Sequence, residues 1–234
     1  STRPRAVEGS YMPCFMVGYS HAKLMADAWK VPLVEVSHQQ GHVAASLWSA
    51  NALELMDTPH LAWHLSGGTT ELLLVEPEGK NVICTKIGGT TDISAGQLID
   101  RTGVLLGLSF PAGKALDRLY SVGMQEKPFK VKLQGLSFSL SGMENKVKTM
   151  VQAGEEQSSI ACFVLDTVAD VVVRTTQQAL RDYPGLSVLC SGGVASNSML
   201  REVLAPLNPV FSQPQYSTDN AMGVAVLAHR AVEE

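Results

Sequence analysis

The chain lacks any apolar run approaching the ~18–20 residues that a membrane-spanning helix requires. Its opening residues lack the charged, apolar and small-residue succession of a signal peptide. Cysteine is sparse: Cys14, Cys84, Cys162 and Cys190 form no Cys-x-x-Cys pair, and none has a histidine partner close in sequence. The expectation is buried, reduced thiols in a cytosolic protein, with a cytoplasmic location and no membrane partner. Positive charge is not in excess either. With 18 basic and 22 acidic residues the net charge is −4, so no global positive field advertises nucleic-acid binding, although a local basic patch stays open. Low-complexity segments and fixed-period repeats are absent. At the start, Ser1-Thr2-Arg3-Pro4-Arg5 runs directly into Gly9-Ser10-Tyr11-Met12-Pro13 with no preceding strand, the look of a segment cut from the middle of a longer chain.

What is present is an α/β pattern. The 234 residues, 45% of them hydrophobic, suffice for one sizeable core or two small ones. Apolar spacing predicts a helix over 14–29, a short strand over 31–36 with Pro32 near its start, and an Ala/Leu-rich helix over 38–55. Three strands are expected at 61–65, 71–76 and 81–87. Helices follow at 94–106 and 114–122, separated by a break at Pro111-Ala112-Gly113. Residues 127–141 read as polar and irregular. Helices over 142–153 and 157–182 precede a buried-type strand at 187–190, a helix from Ser198 to Leu204, a strand at Val210-Phe211 and a last helix over 220–232.

Chemistry concentrates in a few places. An apolar strand ending in Ser-Gly-Gly occurs twice, at 61–68 and 187–193. Glycine lets backbone amides approach a ligand closely, and consecutive N–H groups in such turns form anion-binding nests; an ordinary tight turn needs the same residues. Asn197, after the second turn, offers an amide able to read a base or sugar. His38 and His42 are four residues apart, so on a helix both imidazoles share one face and suit two ligands of one metal, or a capping or core role. The residue after the first histidine is Gln39, not the Glu of a zincin peptidase, so no carboxylate general base is supplied there. Asp219, between a strand and a helix, reads as a helix cap or as a third ligand. Two histidines and a carboxylate would suit Fe(II) or Zn. Asp92 reads as an N-cap or as a ribose-binding carboxylate. Asp100 and Asp117 read as solvated helix faces or as ribose-binding carboxylates. Lys127, Lys130, Lys132, Lys146 and Lys148 form the only local basic cluster, most simply a solvated face.

In order along the chain, these motifs resemble the TsaD family, long named O-sialoglycoprotein endopeptidases or glycoproteases. The series runs His-x-x-Gly-His at 38–42, Ser66-Gly67-Gly68-Thr69-Thr70, Ala95-Gly96-Gln97-Leu98-Ile99-Asp100, Pro111-Ala112-Gly113, Ser137-Phe138-Ser139-Leu140-Ser141-Gly142, Ser191-Gly192-Gly193-Val194-Ala195-Ser196-Asn197 and Ser217-Thr218-Asp219-Asn220. The resemblance implies an actin, sugar-kinase and heat-shock-ATPase (ASKHA) fold of two lobes, the first incomplete. Residues 1–58 with the helix 220–234 would be the remainder of the N-terminal lobe. Residues 59–219 would be the C-terminal lobe, with a helical insertion at about 94–160. It implies transfer of a threonylcarbamoyl group from threonylcarbamoyl-adenylate to a tRNA adenosine, assisted by a divalent metal, Fe(II) or Zn, on His38, His42 and Asp219. It places the adenylate, or an ATP-type nucleotide, on His64, Leu65, Ser66, Gly67, Gly68, Asp100, Gly113, Asp117 and Asn197. TsaB-like and TsaE-like proteins and tRNA would be partners, and a homodimer could cover an exposed sheet edge.

The chain departs from the family pattern at several points. The family's first strand and early glycine/acid turn have no counterpart, and Arg3 to Pro13 stand in place of an early Gly-Pro-Gly stretch. Gln40 replaces a glutamate between the histidines, Thr69 a histidine after the first Ser-Gly-Gly, and Glu144 a lysine. These departures keep two alternatives to transfer open: a nucleotide-binding paralogue that is inactive or regulatory, and a glycoprotein endopeptidase.

Overall fold

The computed structural model describes residues 1–120, 128–216 and 221–232. A mixed sheet of seven strands is its spine, in the spatial order β4-β5-β3-β2-β1-β6-β7. Strands β1 (His60–Leu65), β2 (Thr70–Glu78) and β3 (Asn81–Thr90) form an antiparallel meander, and β6 (Ser187–Ser191) and β7 (Val210–Phe211) extend it in parallel beyond β1. The two-residue strands β4 (Leu133–Gln134) and β5 (Ser137–Phe138) form a small hairpin beside β3, turned at Gly135 with φ +61°.

Alternation along the strands divides the core into two layers, because successive strand residues face opposite sides. Leu61, Trp63, Leu65 and Leu72 pack beneath α3 (Ala95–Leu105), α4 (Gly113–Tyr120), α5 (Ser141–Gln152), α6 (Gln157–Asp182) and α7 (Ser198–Leu204). Fully buried Trp63 donates from Nε1 to Thr176 Oγ1 at 2.9 Å, tying the central strand to α6. On the other face Ala62, Leu73, Val75 and Leu189 pack against α2 (His38–Ser49) and α8 (Ala221–Val232). These helices cross at Gly223, where an added Cβ would lie 1.8 Å from the Gly41 carbonyl oxygen. Most of α1 (Pro13–Trp29) lies outside both layers, with Ala26 its one buried residue. No described helix is long and apolar enough to cross a membrane.

Two helices start in the same way. Ser37 accepts from the Gln40 N–H while Gln40 Oε1 accepts from the Ser37 N–H, and Ser94 and Gln97 repeat the exchange at α3. Each reciprocal pair satisfies two backbone donors that a helix start leaves unpaired.

Several sequence expectations need correction. No strand forms over 31–36. That segment has no sheet neighbour; beside it lie a Thr2 N–H to Val36 carbonyl bond of 2.9 Å and an isolated bridge between Arg3 and Ser37, too little to make a strand. The helix expected over 38–55 ends at Ser49, where Asn51 turns the chain with φ +54°, and a 3₁₀ turn, Leu53–Asp57, replaces its last part. The stretch read as irregular holds the β4–β5 hairpin. Cys162 and Cys190 are buried as expected, but Cys14 is exposed and Cys84 half-buried. Burial pushes the Cys84 and Cys190 thiols up to about 12.

Candidate active site

Because α2 covers the Ala62/His64 face of β1, its first turn lies over the end of that strand. His38 and His42 point to a common place, with Nε2 atoms 3.1 Å apart. His64 of β1 joins them from the sheet, its ring centroid 5.2 Å from that of His42. Phe15 of α1 flanks the group, 5.4 Å from the His38 ring. Burial holds the His64 imidazole below its ordinary pKa, and the neighbouring His38 adds to this, while Glu71 opposes it. The ring is therefore neutral near pH 7.

Whether the histidine pair can hold a metal is a question of geometry. With bonds of ~2.0–2.1 Å, two nitrogens of one ion lie roughly 2.9–3.4 Å apart. The observed spacing fits. Among the described residues no third His, Cys, Asp or Glu completes the pair to a metal-holding group. Asp219, expected as the third ligand, lies outside the described residues. Helix α8 begins two residues after it, and its crossing of α2 at Gly41 falls next to His42.

The two Ser-Gly-Gly turns are neighbours. β1 and β6 are parallel, with His64 opposite Ser191, so Ser66-Gly67-Gly68 and Ser191-Gly192-Gly193 emerge as neighbours at the C-terminal ends of these two strands. Gly192 has φ +94°, and an added Cβ would meet the Leu65 carbonyl oxygen at 2.2 Å; only glycine fits where the second turn abuts the end of β1. Gly67, Gly68 and Gly193, by contrast, have open space where a Cβ would stand. The Ser66 hydroxyl accepts from the Thr69 N–H at 3.1 Å, and Ser94 Oγ donates to the Gly67 carbonyl at 2.7 Å, so the first turn is held from beneath. No hydrogen bond among the described residues uses the Gly67 or Gly68 N–H. The start of α3 packs against the back of this turn, where an added Cβ at Gly96 would lie 2.4 Å from the Ser66 carbonyl oxygen.

On the other face of the sheet from the histidines, the α4/α7 side, two further candidates meet. Asn197 Nδ2 donates to Asp117 Oδ1 at 2.8 Å, and its Oδ1 caps α7 by accepting from the Leu200 N–H at 3.0 Å. Ser198 donates to the same Asp117 oxygen at 3.1 Å. The Asn197 amide anticipated as a ligand contact is thus already engaged, and the pair offers a fixed carboxylate edge. Asp100 Oδ1 accepts from the Ala112 N–H at 2.8 Å, so it shapes the turn that presents Gly113. The histidine group and the Asp117–Asn197 pair lie on opposite faces of the sheet, with the two turns between them.

Some contributors were misread or missed in the sequence. Asp92 is not an N-cap; Ser94 has that role. Instead the Asp92 carboxylate accepts from the Leu140 N–H at 2.8 Å, the Ser141 N–H at 3.3 Å and the Ser139 hydroxyl, clasping the 137–142 motif to the end of β3. Burial would raise its pKa, but these hydrogen bonds outweigh it and hold the carboxyl well below the usual range. Glu144 bridges Arg101 at 2.6 Å and Lys148 at 2.9 Å. These three line an open cavity of about 560 Å³, with Gly67, Asp100 and exposed Phe110. Glu71 went unnoticed because its partners are distant in sequence. It stands opposite His64 on the neighbouring strand and accepts from Arg5 at 2.7 Å and Lys86 at 3.1 Å.

Comparison with known proteins gives a consistent result. The model of the TsaD family, described as tRNA N6-adenosine threonylcarbamoyltransferase, matches residues 9–226. The tRNA N6-adenosine threonylcarbamoyltransferase of Lacticaseibacillus casei (strain BL23) is 36% identical over 212 residues, which cover 85% of this chain and 60% of that protein. That of Carboxydothermus hydrogenoformans is 33% identical over 240 residues, 96% of this chain and 70% of the relative. The chain thus spans about 60% of the length of the Lacticaseibacillus protein. Among solved structures, full-length HypF in its phosphate- and nucleotide-bound form superposes with a TM-score of 0.66 at 15% identity, covering 90% of this chain and 38% of HypF. The Acidaminococcus fermentans (R)-2-hydroxyglutaryl-CoA dehydratase component A gives 0.54 at 16%, covering 84% and 70%. At these identities the likeness carries the fold alone, which is α/β of the actin, sugar-kinase and heat-shock-ATPase type.

Proposed function

The chain belongs to the TsaD family of tRNA N6-adenosine threonylcarbamoyltransferases, and we propose that it binds an adenylate across the two Ser-Gly-Gly turns and takes part in transferring its threonylcarbamoyl group to a tRNA adenosine. The observation that carries this reading is the pairing of the turns: two parallel strands deliver them side by side, between the histidine group and the Asp117–Asn197 pair. In this reading the adenosine lies toward Asp117, Asn197, Asp100 and Gly113. The phosphate lies over the Gly67 and Gly68 amides, and the reacting carbonyl lies toward His38 and His42.

Transfer forms a bond from the adenosine N6 to the carbamoyl carbon and breaks that carbon's bond to the phosphate oxygen. AMP leaves with the electron pair, and the N6 proton passes to solvent. His38, His42 and Asp219 would hold a divalent metal, Fe(II) or Zn, whose chemistry there is Lewis-acid polarisation of an oxygen. The chain's own contribution is position. The rigid turns fix the phosphate, and their amides offset negative charge on the leaving group. Neutral His64 lines the approach without adding charge.

Gln40 bears on whether the family departures signal lost activity. Both ends of its amide are used by the fold, so its replacement of glutamate is accounted for by packing. Glu144, in its ion triad, is the departure that favours the second reading, a nucleotide-binding paralogue without transfer. The peptidase reading gains nothing from α2, where Gln39 follows His38. TsaB-like and TsaE-like partners, self-association and a cytoplasmic site of action belong to the transferase reading. The exposed Met16, Val17, Leu24 and Trp29 of α1 supply an apolar surface for such contacts.

Incubation with tRNA, threonylcarbamoyl-adenylate and Fe(II) or Zn, followed by nucleoside mass spectrometry, tests the proposal. Threonylcarbamoyl-adenosine in the digest supports transfer. Adenylate binding without the modified nucleoside establishes the second reading, and absence of binding removes both.

A further inference from the structure

The segment before α1 is built onto the start of α2. The Arg3 carbonyl accepts from the His38 N–H at 2.7 Å and the Pro4 carbonyl from the Gln39 N–H at 3.0 Å, so this segment takes up donors at the head of the histidine helix. The Arg5 N–H donates to Ser10 Oγ at 2.9 Å, closing residues 5–10 into a loop. From this strap the Arg5 side chain reaches across to Glu71, opposite His64 and three residues beyond Gly68. Both cations on Glu71, Arg5 and Lys86, contact the same oxygen, Oε1, at 2.7 and 3.1 Å.

The charges do not cancel: two cations share one carboxylate, so this group of three is left one positive charge in excess. Glu71 is 11% exposed at its side chain and Arg5 47%, so the guanidinium is the solvent-facing partner. A guanidinium has five N–H donors in a planar fork. Among the described residues one of Arg5's is used, on Glu71, which stands opposite His64 on the neighbouring strand.

We infer that Arg5 is an oxyanion-binding residue of this site: anchored on one side by Glu71, it presents its remaining N–H donors to a phosphoryl or carboxylate group of the ligand at the Gly67-Gly68 turn. Charge-assisted, bidentate hydrogen bonding to such groups is what distinguishes arginine from a merely structural cation. The inference rests on the adenylate reading of the turns and adds to it a residue from the segment where the chain departs from the family's Gly-Pro-Gly pattern. Lys86 keeps Glu71 paired when Arg5 is removed, so Arg5→Ala leaves a compensated carboxylate behind.

Calorimetric titrations of the full chain with AMP, adenosine and N-carbamoyl-L-threonine test this. Wild type is expected to prefer AMP to adenosine. Arg5→Ala is expected to weaken AMP about tenfold or more, with adenosine within about twofold, and Arg5→Lys to recover part of the loss. Loss confined to N-carbamoyl-L-threonine identifies the oxyanion as the carboxylate and equally supports the role. Unchanged affinity for both anions in Arg5→Ala, or equal weakening of AMP and adenosine, overturns the assignment of Arg5 and leaves the adenylate site standing. Wild type binding neither AMP nor adenosine overturns the site reading and this inference with it.

Discussion

Gln40 donates from Nε2 to the Val82 carbonyl at 2.7 Å while its Oε1 accepts from the Ser37 N–H at 2.8 Å, so one buried amide joins the start of the histidine helix to β3. A carboxylate there could still accept from Ser37 but would oppose the Val82 oxygen. Gln40→Glu, the change toward the family pattern, is therefore expected to destabilise the chain by about 1–3 kcal/mol at neutral pH. Urea unfolding measures this, and equal stability of the two proteins would remove the packing explanation for Gln40.

The glycines of the second turn should respond in opposite ways. Gly192→Ala forces a Cβ into the Leu65 backbone at a φ of +94° and is expected to cost stability and lower the yield of folded protein. Gly193→Ala meets open space, so it should keep its melting temperature and lose adenylate affinity. Thermal melts with AMP titrations separate the two effects. Loss of fold in both variants would contradict the assignment of one glycine to turn contact and the other to the ligand.

Metal binding should appear as stabilisation. A metal that binds only the folded chain adds about 2.7 kcal/mol at 100 times its dissociation constant. Zn is accordingly expected to raise the wild-type melting temperature and to leave His38→Ala and His42→Ala unmoved. A shift that persists in both variants would place the ion elsewhere.

Asp92 should contribute to acid sensitivity. Its folded pKa is depressed, so its stabilisation is present above the unfolded carboxylate value of ~3.9 and is lost as pH falls toward the folded value. Asp92→Asn is expected to be less stable than wild type at pH 7, and the gap should narrow below about pH 4. Urea denaturation across pH 3–7 reads the gap. A gap independent of pH would assign the effect to shape rather than charge.

Much of this was legible in the sequence because it follows local rules. Helical spacing located α1, α3, α5 and α6, and the repeated apolar strand with Ser-Gly-Gly marked the two turns, whose adjacency only the parallel pairing of β1 and β6 reveals. Residues 31–36 have strand composition, yet a strand exists only where a neighbour supplies hydrogen bonds, and none lies beside them. The same limit hid the role of Asp92, whose partners are about 48 residues away, and the Arg5–Glu71 pair, which spans 66. His38 and His42 could be paired from their spacing, but the nearness of His64 depends on which face of β1 the helix covers. The bonds of the Asn197 amide to Asp117 and to the α7 N-terminus were likewise not visible in the sequence, because Asp117 is 80 residues away.

The central claim is that the histidine pair and the two turns form one site, and thermodynamic coupling tests it most directly. AMP affinity should be measured by calorimetry with and without saturating Zn in wild type, His42→Ala and Asn197→Ala. The account predicts that the metal tightens AMP binding in wild type, that His42→Ala abolishes the metal effect but retains basal AMP binding, and that Asn197→Ala weakens AMP with or without metal. AMP affinity independent of metal in wild type, and unchanged in both variants, would contradict it.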